Sequence, residues 1–218
     1  MPDILGGRDQ QAGGTWLALH RNGRFATVTN FRDAVPKSGK LRSRGHLITE
    51  FLNSDCSPRD YLENIDGDAY AGFNLLVSDG SELAYLSNRG GGCRVLPPGI
   101  YGVANAVLDS PWVKVERSTR GLSELIASGR VNASTLLTLL GDREKARVAE
   151  VESGQLGFEK AHAMSAPFIV QADYGTRCSS VLLRNNENRF RFTEVRFTAD
   201  GSSSGRSDFT GGVAAQSE

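Results

Sequence analysis

Five short segments of the chain place a hydrogen-bonding side chain at the edge of an apolar run: Gly13-Gly14-Thr15-Trp16, Thr29-Asn30, Gly72-Phe73-Asn74, Ala104-Asn105-Ala106 and Tyr174-Gly175-Thr176-Arg177. A strand end on a rigid scaffold is where an amide or guanidinium can face a cleft. Each segment also has a plain structural reading. In it, Asn30 and Asn105 cap turns, Gly72 and Gly175 relieve backbone strain, and Arg177 pairs with a surface acid.

Other chemistry finds less support. His20, His46 and His162 stand apart from one another, no G-x-S-x-G elbow is present, and Gly90-Gly91-Gly92 lacks the Lys-Ser or Lys-Thr that completes a phosphate loop. Cys56, Cys93 and Cys178 are odd in number and show neither C-x-x-C spacing nor a neighbouring histidine. They make no disulfide framework and no zinc signature, so a reducing, cytoplasmic setting is expected, with no metal or cofactor. Cys178 is the best placed of the three thiols, because the charge of Arg177 could lower its pKa; a buried strand cysteine is the alternative. Twenty-five basic residues balance 25 acidic ones, which removes any bulk attraction to nucleic acid or an anionic membrane. The opening residues lack the pattern of a secretion signal, and no run approaches the roughly 20 apolar residues that span a bilayer.

The elements that must position these residues are short. Thr15 to Leu19 and Arg24 to Val28 read as strands around Asn22-Gly23, the favoured type I′ hairpin pair, and Phe73 to Val77 with Leu83 to Leu86 read as a second hairpin around Asp79-Gly80. Ser43 is expected to cap a helix carrying Leu47, Ile48, Phe51 and Leu52, and Ser57-Pro58 with Asp60 opens another. Strands follow at Cys93 to Leu96 and Ile100 to Ala104. The longest helix starts at Ser110-Pro111, buries Trp112, Val115, Leu122, Leu125 and Ile126, is weakened by Gly121 and stops at Gly129. Ser134 to Leu140 is helical and residues 141–164 are mostly loop. Phe168 to Gln171, Cys178 to Leu183 and Phe190 to Phe197 are strands, the last two joined by Asn185 to Asn188. From Ala199 the chain is Gly, Ser and Asp without apolar periodicity, so residues 199–218 are expected to be a disordered tail behind one domain at 1–198. This order of strands, helices and strands is α+β.

The same segments, taken in sequence, resemble the NRDE family of transport and Golgi organisation proteins. The resemblance runs through Leu5-Gly6-Gly7-Arg8-Asp9, Gly13-Gly14-Thr15-Trp16-Leu17, Thr29-Asn30-Phe31 and Ser43-Arg44-Gly45. It continues through Tyr70-Ala71-Gly72-Phe73-Asn74-Leu75-Leu76, Ser87-Asn88-Arg89 and Pro98-Gly99-Ile100-Tyr101-Gly102, and ends with Asn105-Ala106, Leu108-Asp109-Ser110-Pro111-Trp112-Val113-Lys114 and Tyr174-Gly175-Thr176-Arg177. It implies a four-layer αββα sandwich like that of the N-terminal-nucleophile hydrolases, with two antiparallel sheets between helix layers. Family members begin with Met-Cys followed by Asn-Arg-Asp-Glu; Gly7-Arg8-Asp9-Gln10 shares letters with that motif but matches a later segment. The domain is therefore expected to be amino-terminally truncated, without its first strands and its candidate nucleophile.

By the same resemblance, Asn74 and Asn105 stand where related cysteine amidohydrolases place oxyanion-stabilising amides, and Arg177 where they place a site arginine. Arg44, Arg89, Asn30 and Tyr174 are the candidate ligand-binding residues. The implied function is ligand handling in acyl-coenzyme A or lipid homeostasis, or haem trafficking. The alternatives are a cysteine-dependent amide hydrolase active in the full-length form, and an inactive fragment.

Overall fold

Leu17–His20 (β2) and Phe25–Asn30 (β3) form the hairpin expected around Asn22-Gly23. The computed structural model describes residues 3–32, 41–151 and 156–212. The turn is not type I′, because of the pair Gly23 alone has a positive φ, 89°. Gly23 N–H donates to His20 O at 2.9 Å and His20 N–H to Arg24 O at 2.7 Å, the pattern of a type I turn closed by a glycine bulge. Asn22 acts through its side chain, whose Oδ1 accepts Arg24 N–H at 3.1 Å, so its backbone stays out of the left-handed region.

These two strands belong to a six-stranded antiparallel sheet in chain order, completed by Ile4–Gly6 (β1), Phe73–Ser78 (β4), Leu83–Ser87 (β5) and Gly92–Val95 (β6). The helices Gly45–Leu52 (α1) and Pro58–Glu63 (α2) lie between β3 and β4 in the chain. Alternation along the paired strands puts Ala18, Ala26, Val28, Leu75, Val77 and Ala84 on one face. There they form one buried cluster with Leu47, Ile48, Phe51 and Leu52 of α1 and Leu62 of α2. Arg24, 5% exposed, donates from Nη2 to Cys56 O at 2.7 Å and Phe51 O at 3.4 Å and lies 4.0 Å over the Phe51 ring. It ties the hairpin to the link between α1 and α2.

Ser57 caps α2 as expected, accepting Asp60 N–H at 3.1 Å ahead of Pro58. Ser43 does not cap α1 with its side chain. Its carbonyl accepts His46 N–H at 3.1 Å, and no side chain caps this helix. The start of α1 is set instead by two glycines in backbone contact. A Cβ on Gly14 would stand 2.5 Å from the carbonyl carbon of Gly45, and one on Gly45 would stand 3.0 Å from Thr15 N.

The segment read as one domain divides into two compact units. The first comprises the described residues up to Gly99 with Val103–Ser110, and the second Ile100–Gly102 with Pro111–Gly212. The second unit contains Val113–Ala127 (α3), Ala133–Leu140 (α4), Phe158–Ala163 (α5) and a three-stranded antiparallel sheet of Cys178–Arg184 (β7), Arg189–Phe197 (β8) and Ser203–Gly212 (β9). Gly121 has a packing reason, since a Cβ there would meet Leu139 Cδ1 of α4 at 2.5 Å. Gly129 ends the helix region at φ 64°. Of the apolar face expected on α3, Val115 is buried, while Ile126 is 52% exposed. An Asn132–Thr135 capping box opens α4. The described residues thus give two antiparallel sheets and five α-helices, an α+β protein.

Three expected elements differ. Ile100 to Ala104 forms no strand, and Gly102 packs instead against Val115 and Thr119 of α3. Phe168 to Gln171 contributes a single bridge, Val170 to Gly175; Phe168 is buried edge-on to Phe197 at 4.7 Å and beneath Arg143. The expected disordered tail contains β9, paired along its length with β8, while residues 213–218 lie outside the described ones. What holds β9 is backbone pairing and charge: Asp208 accepts from Arg206 Nε at 2.6 Å, Thr193 Oγ1 at 2.7 Å and Arg191 Nη2 at 3.2 Å.

Replacing Gly14 with Ala forces two backbones apart, and should lower unfolding stability by about 1–3 kcal/mol in denaturant titration; an unchanged midpoint would contradict the contact. The hydrogen bonds from Arg206 and Thr193 hold the Asp208 carboxyl well below its usual range. A depressed folded pKa stabilises above the unfolded value of about 3.9 and loses that contribution as pH falls through the folded value. The melting-temperature gap between wild type and Asp208→Asn should therefore be full at neutral pH and shrink below about pH 4; a gap that does not change would rule out this role.

Candidate functional site

Antiparallel pairing brings the end of β3, the start of β4 and the end of β5 to one end of the six-stranded sheet. There Asn30 stands opposite Phe73, Thr29 opposite Asn74, and Asn74 opposite Ser87. Three of the sequence-distant segments singled out above therefore meet in the first unit, the loop around Asn105 being laid across Thr29-Asn30 and Gly72-Phe73-Asn74.

Asn74 is at the centre, 1% exposed, on the sheet face opposite the α1 core. Its Nδ2 donates to Ala106 O at 2.9 Å, Thr29 Oγ1 at 3.2 Å and Ala104 O at 3.4 Å. Its Oδ1 accepts the Tyr85 hydroxyl at 2.7 Å, and that hydroxyl in turn accepts Leu108 N–H at 3.0 Å. Thr29 Oγ1 donates to Ala104 O at 2.7 Å. Both ends of the Asn74 amide are thus engaged inside the protein, and the loop 104–108 is clamped at Ala104, Ala106 and Leu108. Burial raises the Tyr85 pKa, which keeps the phenol protonated as the donor this network needs.

The clamped loop presents Asn105, which is half-buried. Its Nδ2 donates to Asn30 O at 2.8 Å, and its backbone carbonyl accepts Arg32 N–H at 2.6 Å. Among the described residues Oδ1 and the second Nδ2 hydrogen of Asn105 have no partner. Arg44 reaches the same sheet end, with Nη1 on Gly72 O at 2.8 Å, an oxygen that also accepts Phe31 N–H. Asn88 braces the approach to β4: its Oδ1 accepts Phe73 N–H at 2.8 Å, and its Nδ2 donates to Gly67 O at 2.9 Å and Ala71 O at 3.2 Å. Arg89 follows it, with Nη1 on Asn88 O at 3.1 Å. Asn30 is exposed and contributes through its carbonyl.

Tyr174 and Arg177 belong to the second unit. Both are exposed, and the Arg177 carbonyl accepts Phe197 N–H at 2.8 Å. Arg177 forms no ion pair among the described residues, which leaves its guanidinium open to an anion. It does not activate Cys178. Burial first, then the charge of Glu194, push that thiol up, and burial raises Cys93 as well. No group of His, Cys, Asp and Glu among the described residues could hold a metal ion.

Tyr85, Ser87 and Asn88 were not picked out from the sequence as site residues. The available signal was parity: Tyr85 and Ser87 alternate onto the face that carries Asn74 once β4 and β5 are paired. Asn88 gave no such signal, since its partners at 67–73 are set by the path of the chain before β4.

The chain belongs to the Transport and Golgi organisation 2 family, whose model matches residues 1–199. It is 32% identical over 213 residues to the Transport and Golgi organization protein 2 homolog of Bos taurus, covering 88% of this chain and 76% of that protein. It is 31% identical over 212 residues to the homolog of Homo sapiens, with the same coverage. The Drosophila melanogaster protein of that name is 24% identical over 225 residues, 89% of this chain and 77% of its own length. No helix among the described residues is long and apolar enough to cross a membrane.

Tyr85→Phe deletes one hydroxyl and orphans two buried groups, Asn74 Oδ1 and Leu108 N–H. A loss of about 2–4 kcal/mol in unfolding free energy is expected, with faster amide exchange at Leu108 than in the wild type. Unaltered exchange there would show that the loop is held by something else.

Proposed function

We propose that this chain handles an anionic small molecule at the end of the six-stranded sheet, of the acyl-coenzyme A or lipid class or else haem. The observation that carries the reading is the contrast between two asparagines. Asn74 has both ends of its amide engaged in clamping the loop 104–108, whereas Asn105, on that loop, keeps donor and acceptor capacity. A rigid, part-satisfied amide beside arginines suits recognition of a polar head group. Arg44 and Arg89 supply positive charge at the same sheet end, and Arg177 and Tyr174, in the second unit, are candidate ligand-binding residues on the strength of the family resemblance. The acyl-coenzyme A and haem readings likewise rest on that resemblance.

Amide hydrolysis by Cys93 or Cys178 is disfavoured, since burial pushes both toward the unreactive thiol form. The αββα layering is likewise taken from the family resemblance alone.

Titration of the full chain with palmitoyl-coenzyme A in a calorimeter, and with haemin followed at its Soret band, tests the reading. One of the two should bind saturably. Asn105→Ala should then weaken binding about tenfold, about 1.4 kcal/mol, without shifting the melting temperature by more than a few degrees. Absence of saturable binding by both, or an undiminished affinity in the variant, would overturn it.

A further inference from the structure

A second feature of the first unit stands apart from the sheet end. A cavity of about 300 Å³ is lined by Ile4, Gly6, Gly7, Arg8, Gly13, Gly14, Thr15 and Thr49. Its size is at the lower end of the range of roughly 300–1,000 Å³ usual for small-molecule sites.

Its walls are unusual in what they leave unpaired. Arg8 forms no ion pair or hydrogen bond among the described residues. The backbone N–H groups of Gly7 and Arg8, which are exposed, and of Gly14, which is buried, likewise donate to no described residue. Buried backbone donors are paired in the great majority of cases, with protein, water or ligand. Other donors of the loop are engaged, Gly13 N–H on Asp9 O at 2.8 Å and Asp9 N–H on Gly14 O at 2.7 Å. The Asp9 carboxylate is occupied within the loop, its Oδ1 accepting from Gln11 N–H at 2.8 Å and Ala12 N–H at 3.1 Å. His46 Nε2–H holds Ala12 O at 2.7 Å, which fixes the loop to α1.

Glycine keeps the space open. A Cβ on Gly7 or Gly13 would meet no atom within 4 Å, so at Gly7, where φ is ordinary, neither packing nor backbone conformation demands glycine. What a side chain there would take up is room in front of the backbone. The two hydroxyls complete the lining. Thr15 Oγ1 donates to Leu17 O at 3.1 Å and Thr49 Oγ1 to His46 O at 3.1 Å, so each presents lone pairs to whatever else comes near.

From this arrangement we infer that the cavity is a binding site for a small hydroxyl-bearing oxyanion, taken by the Arg8 guanidinium and the free amides of Gly7, Arg8 and Gly14, with Thr15 and Thr49 accepting from its hydroxyl. A guanidinium beside convergent backbone amides is the standard solution for a carboxylate or phosphate. The site is independent of the sheet-end reading, and neither its ligand nor its residues are shared with it.

Hydrogen phosphate and glycolate carry the two forms of this chemistry and serve as probes. Amide chemical shifts of the isotope-labelled full chain are followed against each probe, with sodium chloride matched in ionic strength. Saturable shifts at Gly7, Arg8 and Gly14 are expected in at least one arm, and the arm that saturates identifies the phosphate or carboxylate source. Arg8→Gln should weaken that binding at least tenfold and Gly7→Val should abolish it, while Arg59→Gln, an equal charge change on α2, leaves it intact. Shifts that merely track ionic strength, or equal affinity in wild type and Arg8→Gln, would overturn the proposal.

Discussion

The arrangement of the first unit depends on burying an asparagine amide without leaving any of it unpaired. An amide removed from water without partners costs several kcal/mol, so Asn74 is tolerable only while Thr29, Tyr85 and the carbonyls of Ala104 and Ala106 are all in place. Those partners come from two strands and a loop that are far apart in the chain. The requirement therefore acts as a check on register: a slip of one residue between β3 and β4 would turn Asn74 into the α1 core and leave Tyr85 without its acceptor. The apolar face supplies most of the stability, and the polar face makes the pairing unique.

This division of labour explains what the sequence disclosed. The apolar alternation of β3 to β5 and the helical spacing of Leu47, Ile48, Phe51 and Leu52 are local patterns, and both elements formed where those patterns stood. Short polar segments were recognisable as a set, and three of them do meet. What was not legible was how each polar group would be used, because that depends on partners many residues away. Asn74 and Asn105 look alike in sequence, yet one is sealed in and the other is offered outward. The strand β9 escaped notice for a related reason: its sequence has almost no apolar periodicity, and it is held by backbone pairing and by the charges around Asp208, to which Arg191 and Thr193 of the adjacent strand contribute. Conversely, Ile100 to Ala104 and Phe168 to Gln171 have strand-like composition but find packing partners in α3 and Phe197 before they find a strand.

Chemistry at this protein's polar groups is constrained by the same logic. A donor already engaged cannot stabilise charge that develops later, and a thiol pushed up by burial is a poor nucleophile at neutral pH. What the described residues leave available are recognition groups: guanidinium ions, one part-free amide and unengaged backbone donors.

The contact between Gly14 and Gly45 carries a mechanical consequence. Side-chain contacts yield by changing rotamer, but two backbones touching with no side chain between them have no such compliance. The loop at Gly13-Gly14-Thr15 and the first turn of α1 must therefore translate together. Arg44, the residue before Gly45, is anchored on Gly72 O at the start of β4. A stiff joint thus runs from the lining of the small cavity to the entrance of the central strand, and any displacement imposed on one end is passed to the other instead of being absorbed between them.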